Sequence, residues 1–247
     1  MKAPLSEQWA LLEVQERDTR LAQLEHRLKS LPQHAELAAA RERADRLGKE
    51  LIAAQTIVSD LEREQAKADA DVDLVRQRSN KDRELLDSGS ITDPKQLQSL
   101  ESELMSLAKR QSDLEDVELE VMERVEGAQA AVAHLTGELA AAREEIERLD
   151  AEVAELTAEI ATERAAVEAE RTHTATGVSA ELLTLYDKIR GDHAGRGAAR
   201  LQHGRCDGCR IDLPPTEIAA LRAAAEDDVL RCEECRCILV RTPESGL

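Results

Sequence analysis

Phenylalanine is absent from this chain of 247 residues, and tryptophan and tyrosine occur once each. Large rings supply much of the area that a globular core buries, so their scarcity excludes a wide two-layer core. Alanine, leucine, glutamate and arginine are abundant instead, which suits long helices meeting along a narrow seam. Cysteine is missing until Cys206, and all five fall between there and Cys237. In a reducing compartment such clustering favours a metal over disulfides. No apolar run approaches the roughly 18 residues of a membrane span. Met1 to Gln8 leads into a charged helix without the apolar centre of a signal peptide, so a cytoplasmic chain with no membrane partner is expected. Positive charge is in deficit as well. A net charge of −18 argues against a DNA footprint over the whole surface, though a local basic patch stays open.

What is present is a heptad pattern broken once at a turn. Leu86 to Leu97 contains Ser88, Gly89 and Ser90, then Asp93 to accept from free helix amides, Pro94 for the first helical position and Gln96 to complete a capping box. This is the tip of a helical hairpin, near 88–93. Before it, Leu37, Ala44, Leu51, Val58, Gln65, Val72, Ser79 and Leu86 form one core series. Ala40, Leu47, Ala54, Leu61, Ala68, Val75 and Asp82 form the other. After it the pattern returns from Leu97 to Val167 and from Leu100 to Leu156, ending in Glu163 and Glu170. Two apolar positions in seven, sustained this long, specify a left-handed coiled coil. Folding at the tip sets residue i beside roughly residue 181 − i, which puts Gln65 near Gln111 and Glu118, and Arg17 near Glu163. Arms of some 80 residues would each be about 120 Å long. Pro32 lacks an amide donor and predicts a kink or break in the first arm. Charges along the arms read as solvated helix faces.

The register fades near Thr172–Gly177. A short helix over 179–190 follows, with Leu182, Leu183, Leu185, Tyr186 and Ile189 set for packing. The same arithmetic brings Leu5 and Trp9 back to this junction, where Trp9 and Tyr186 are read as packing residues. The expected division is a hairpin over 1–175 and a second domain over 176–247.

That second domain carries the chemistry. Cys206-Asp-Gly-Cys209 and Cys232-Glu-Glu-Cys235 are two Cys-x-x-Cys knuckles, which together supply four thiolates for one structural zinc. Strands are expected at Ala198–Gln202, Arg210–Leu213, Val229–Arg231 and Arg236–Arg241, with a short helix from Pro214. The fold class is therefore mostly α: a long antiparallel coiled-coil hairpin plus a small zinc ribbon. Cys237 is read as a free thiol because one intervening residue makes a poorer knuckle, and His203 as a solvated loop residue. No nucleophile–base–orienter set and no glycine-rich phosphate loop is present, which implies neither an enzyme nor a small-molecule substrate. Arg190, Arg196, Arg200, Arg205 and Arg210 make the approach to the first knuckle basic and are the candidate contacts to RNA or DNA. Glu163, Glu168 and Glu170 oppose such binding, and the ribbon has no aromatic stacking platform. A protein partner would use Ile211, Leu213, Ile218, Leu221 and Ile238.

The tip Ser88–Leu97, Tyr186-Asp-Lys-Ile-Arg190, the two knuckles, Leu213-Pro-Pro215 and Ile238-Leu239 together resemble the bacterial family of coiled-coil proteins with a C-terminal C4-type zinc ribbon, in an actinobacterial-like form. The resemblance covers essentially the whole chain. The family's ending reads Cys-Gly-Arg-Ile-Leu, whereas Arg236 and Cys237 occupy the glycine and arginine places here. The resemblance implies a non-enzymatic adaptor, working in transcription or regulatory assemblies. Members in flagellated or type III-secreting bacteria bind the enhancer-dependent sigma factor, secretion components or a messenger RNA. A protein partner is thus the leading expectation, with nucleic-acid regulation and an oligomeric structural rod as alternatives.

Overall fold

The computed structural model describes residues 1–247. Four helices come first: α1 (Leu5–Lys29), α2 (Pro32–Asp87), α3 (Pro94–Ala175) and α4 (Ala180–Asp192). The ribbon follows with β1 (Ala198–Gln202), β2 (Arg205–Cys206), α5 (Pro215–Ala223), β3 (Leu230–Arg231) and β4 (Ile238–Arg241). None of the helices is long and apolar enough to cross a membrane. The chain divides into two compact units, residues 35–150 and residues 1–34 with 151–247.

In the unit of residues 35–150, α2 and α3 pair antiparallel, and every position of the two heptad series within it is buried or half-buried. Leu47 packs with Leu139 and Ala142, and Leu61 with Val121 and Val125. Ion pairs flank this seam: Arg43–Glu138, Arg124–Glu64 and Arg78–Glu103 on one side, Arg41–Asp150 and Arg76–Glu115 on the other. These contacts set residues up to ten positions further along than simple folding at the tip requires. The turn itself consumes residues, so the arms do not start level. At the tip, Asp93 Oδ1 accepts from the Lys95 amide at 3.0 Å, and Gly89 takes φ 64. Gln96 does not close the capping box; the Leu97 amide bonds the Asp93 carbonyl instead.

The second unit is built on α1. The helix stops at Lys29, Ser30 turns its amide and hydroxyl onto the His26 carbonyl, and Pro32 opens α2, so the expected interruption is a complete break. Leu24 and Leu31 pack with Ile160 of α3, while Leu11 and Val14 join Leu182, Tyr186 and Ile189 of α4 against Ile238 and Val240 of β4. The residues before α1 bind the ribbon directly. Ala3 N donates to Asp227 O at 2.7 Å and Val229 N to Met1 O at 3.1 Å.

The level at which the heptads fail differs from the expected one. Arg17 pairs with Glu170 at 3.6 Å, and Glu163 goes to Arg20. The seam is filled instead by Asp18, whose side chain is 1% exposed. Arg171 grips it from α3, Nε to Oδ1 at 2.7 Å and Nη2 to Oδ2 at 3.2 Å. Tyr186 OH donates to Oδ2 at 2.7 Å, and Arg190 Nη2 stands 3.4 Å from Oδ1. A carboxylate this buried is held because two guanidiniums and a phenol satisfy it. Burial, followed by the bond to Asp18, pushes the Tyr186 phenol up, so it stays a donor. One turn earlier, Gln15 Oε1 accepts from the Gly197 and Ala198 amides at 2.7 and 3.2 Å, which fixes the start of β1. Gly197 has no alternative here, since a Cβ would lie 2.5 Å from the Tyr186 ring.

Candidate metal centre

The ribbon sheet has the order β2-β1-β4-β3, with β1 and β4 parallel and both hairpin pairs antiparallel. Two of its corners are knuckles built alike. In the first, Cys206 N donates to Ile211 O at 3.1 Å and Arg210 N to Cys206 O at 2.7 Å. In the second, Cys232 N donates to Cys237 O and Arg236 N to Cys232 O, both at 3.0 Å. The residue that closes each knuckle, Arg210 or Arg236, has a left-handed backbone, φ 62 and 60. This explains two corrections to the expected strands. Arg210–Leu213 cannot run extended from a left-handed start, so the partner of β1 is Arg205–Cys206, with Asp212 only bridging Arg205. For the same reason the last strand begins at Ile238, two residues beyond Arg236.

Each knuckle turns two amides onto its first sulfur: Gly208 and Cys209 onto Cys206, Glu234 and Cys235 onto Cys232. The four sulfurs of Cys206, Cys209, Cys232 and Cys235 converge within 4.8 Å of one another. Cys206 Sγ lies 3.7 Å from Cys235 Sγ, and Cys209 Sγ 3.9 Å from Cys232 Sγ. A zinc ion with four bonds of about 2.3 Å needs sulfur edges of about 3.8 Å, so the residues fit a tetrahedral shell. As thiolates, these sulfurs would need a cation to offset their charge. Burial pushes the Cys206 thiol well above its ordinary range and Cys232 up to about 11, and nearby sulfurs add to both. Four thiolates cannot share this space unless a metal compensates them. One structural zinc supplies that charge, and with four protein ligands it keeps no position for water or substrate.

Cys237 stands outside the set. It is buried, its Sγ donates to the Arg196 carbonyl at 3.3 Å, and burial raises its pKa to about 12. His203 is exposed at φ 48 and directs its amide to Glu244 O.

Arg190 is committed to Asp18, Arg196 reaches the Gly208 carbonyl, and Arg205 bonds the Arg210 carbonyl at 2.7 Å. Arg200 and Arg210 are exposed. The acidic residues expected to oppose binding are themselves paired, Glu163 with Arg20, Glu168 with Arg164 and Glu170 with Arg17. The aliphatic set proposed for a protein partner is mostly core: Leu213, Leu221 and Ile238 are buried and Ile218 half-buried, so only Ile211 is fully at the surface. Trp9 goes the other way. It is 47% exposed, with Nε1 donating to Arg241 O at 2.8 Å, and it borders an open cleft with Leu5, Leu221, Pro243 and Leu247. Spacing could place Trp9 beside the ribbon but not say which face of α1 it takes. Asp18, Gln15 and Arg171 were missed too, because polar residues near a fading heptad look like solvated ones.

Residues 14–194 match the CT398-like coiled coil hairpin domain, and residues 205–239 the C4-type zinc ribbon domain. An uncharacterized protein of Mycobacterium tuberculosis is 38% identical over 241 residues, covering 98% of each chain. One of Mycobacterium leprae is 29% identical, covering 93% of this chain and 94% of its own. A solved structure from Mycobacterium smegmatis is 33% identical with a TM-score of 0.83, over 98% of this chain and 100% of that one. CT398 from Chlamydia trachomatis, at 19% identity, shares the fold with a TM-score of 0.65 over 96% and 98% of the two chains. The chain therefore belongs to the family of CT398-like coiled-coil hairpin proteins that end in a C4-type zinc ribbon.

Proposed function

We propose that this protein is a zinc-ribbon adaptor without a reaction of its own, which holds a protein partner at the ribbon and presents the hairpin as a second surface, in a transcription or regulatory assembly. The observation that carries this reading is the half-exposed Trp9 beside the ribbon. A lone tryptophan with an apolar face in an open cleft and its N–H already satisfied is the kind of anchor that protein interfaces use. The zinc serves that surface by fixing the sheet from which Arg241 holds the indole. A nucleic-acid role has some support in Arg200 and Arg210, which bond nothing within the chain through their side chains. It is the second reading because three of the five arginines have internal partners.

The test is affinity capture from source lysate with the zinc-loaded full chain, with and without nuclease. The expected result is a protein retained after nuclease and lost with Trp9→Ala, while zinc content and helicity stay unchanged. Retention that vanishes with nuclease and with Arg200→Glu/Arg205→Glu, but not with Trp9→Ala, would favour nucleic acid.

A further inference from the structure

Five sulfurs crowd a metal site that four of them can close. Cys237 is 1% exposed and packs with Cys206, Cys232, Ala199 and Leu239. A buried cysteine is often a small apolar filler, but this one lies against the ligand set. An atom at the Cβ position of Gly208, inside the first knuckle, would stand 3.5 Å from Cys206 Sγ and 3.6 Å from Cys237 Sγ. In the second knuckle, Cys237 turns its amide onto Cys235 Sγ and brings its side chain against the same sulfur. Arg236 between them is left-handed, φ 60, so the segment from Cys235 to Cys237 is turned rather than extended. The two cysteines differ in access and in commitment. Cys235 is half-exposed and one of the four converging ligands, whereas Cys237 is sealed in the ribbon core and outside that set.

We infer that Cys235 and Cys237 are a peroxide-responsive pair, in which oxidation of the half-exposed ligand is captured by the buried thiol as a disulfide that releases the metal. The thiolate is the form of cysteine that attacks a peroxide, and metal binding holds Cys235 in that form at the surface. Its sulfur bonds the terminal oxygen of a hydroperoxide as the O–O bond breaks, and the leaving oxyanion takes a proton from solvent. The product is a sulfenic acid, which is no longer a ligand. Cys206, Cys209 and Cys232 are still committed to the metal at that moment, so the free sulfur beside the sulfenic acid is Cys237. Cys237 Sγ then attacks Cys235 Sγ, the S–O bond breaks, and the hydroxide leaves with the thiol's proton as water. Two electrons have passed from the two sulfurs to the peroxide. Cys235 is the reacting ligand in preference to Cys209, the other half-exposed one, because it has this free thiol against it. Three ligands no longer close the shell, and a ribbon that depends on the metal comes apart. Capture makes that loss reversible, since an uncaptured sulfenic acid goes on to a sulfinic acid that thiols do not reduce. This inference does not rest on the adaptor reading.

The test treats the zinc-loaded full chain with hydrogen peroxide. Released zinc is followed with a chromogenic chelator, and disulfides are mapped by mass spectrometry after free thiols are blocked. Zinc release is expected in step with a Cys235–Cys237 disulfide, and reductant with added zinc should restore nearly all of the binding. Cys237→Ser and Cys237→Ala are checked first for full zinc content and unchanged circular dichroism. After peroxide they should accumulate Cys235 sulfinic acid, and after reductant regain less than about half of their zinc. The wild-type disulfide map decides by itself if either variant fails to load. A first disulfide at Cys232–Cys235 or Cys206–Cys209, or recovery that is equal with and without Cys237, would overturn the pair. Zinc lost without any oxidation of Cys235, or retained throughout, would overturn it as well.

Discussion

Arg236 is in a conformation that suits it poorly. A side chain at φ 60 crowds its own carbonyl, at a cost of roughly 1–2 kcal/mol, and the family's usual residue here is glycine. Arg236→Gly should therefore raise the stability of the zinc-loaded ribbon by up to about 1 kcal/mol, the relief being partly offset by the flexibility glycine adds when unfolded. A shift of the ribbon's denaturation midpoint measures this. Cys237 raises the question of which sulfurs hold the metal. Because its Sγ donates to the Arg196 carbonyl and is not one of the four converging sulfurs, Cys237→Ser should retain one zinc per chain and Cys235→Ser should lose it. Metal analysis of the two purified variants decides, and the opposite pattern would reassign the fourth ligand. Zinc contributes on the order of 10 kcal/mol to a module of this kind, so chelation should unfold the ribbon. Most of the helix signal should survive, since the α2–α3 seam uses none of these sulfurs.

At the scale of elements, α1, α3 and α4 are joined by one carboxylate. Asp18→Ala would leave two guanidiniums and a buried phenol without their shared partner, a loss of about 3–5 kcal/mol. Thermal unfolding followed by circular dichroism should show the unit of residues 1–34 and 151–247 melting earlier. An unchanged transition would mean that Asp18 is not the joint described. Along the α2–α3 seam the opposite kind of carboxylate occurs. Glu118 has its pKa raised, first by loss of solvent and then by Asp69 beside it. The sign follows directly: the folded state holds this proton more tightly than the unfolded chain, so the ionised form destabilises at neutral pH. That penalty disappears as pH falls through the raised pKa toward the ordinary carboxylate value. Glu118→Gln should thus stabilise residues 35–150 at about pH 7 and make no difference by about pH 4. Denaturant midpoints at the two values check it. Spacing alone places Glu118 in the seam, but it could not assign Asp18. The period of seven marks which positions face the seam, and every such position from Leu37 to Leu149 does so. It does not say which polar residue at a failing level finds partners, because those come from α4 and the loop before β1, far along the chain.

For the molecule as a whole, the legible parts were those with a strict repeat or a strict spacing: the hairpin, its tip, the break at Pro32 and the zinc knuckles. Surface assignments were less legible. Ile238 and Leu221 looked available because the ribbon is small, yet α1 covers Ile238, and Leu221 packs inside the ribbon with Leu213, Leu239 and the knuckle cysteines. The same packing leaves Trp9 outside. The adaptor account therefore depends on an apolar anchor, and its salt dependence differs from that of phosphate binding. Binding of the captured partner should be measured at about 50 and 200 mM salt, for the wild-type chain and for Trp9→Ala. Contact with several phosphates would cost about 10³-fold or more over that range. The account predicts a change of less than about tenfold in wild type, since apolar contacts are little screened, and loss of binding in Trp9→Ala at both salts. A steep fall with salt in a complex that Trp9→Ala leaves intact would contradict it.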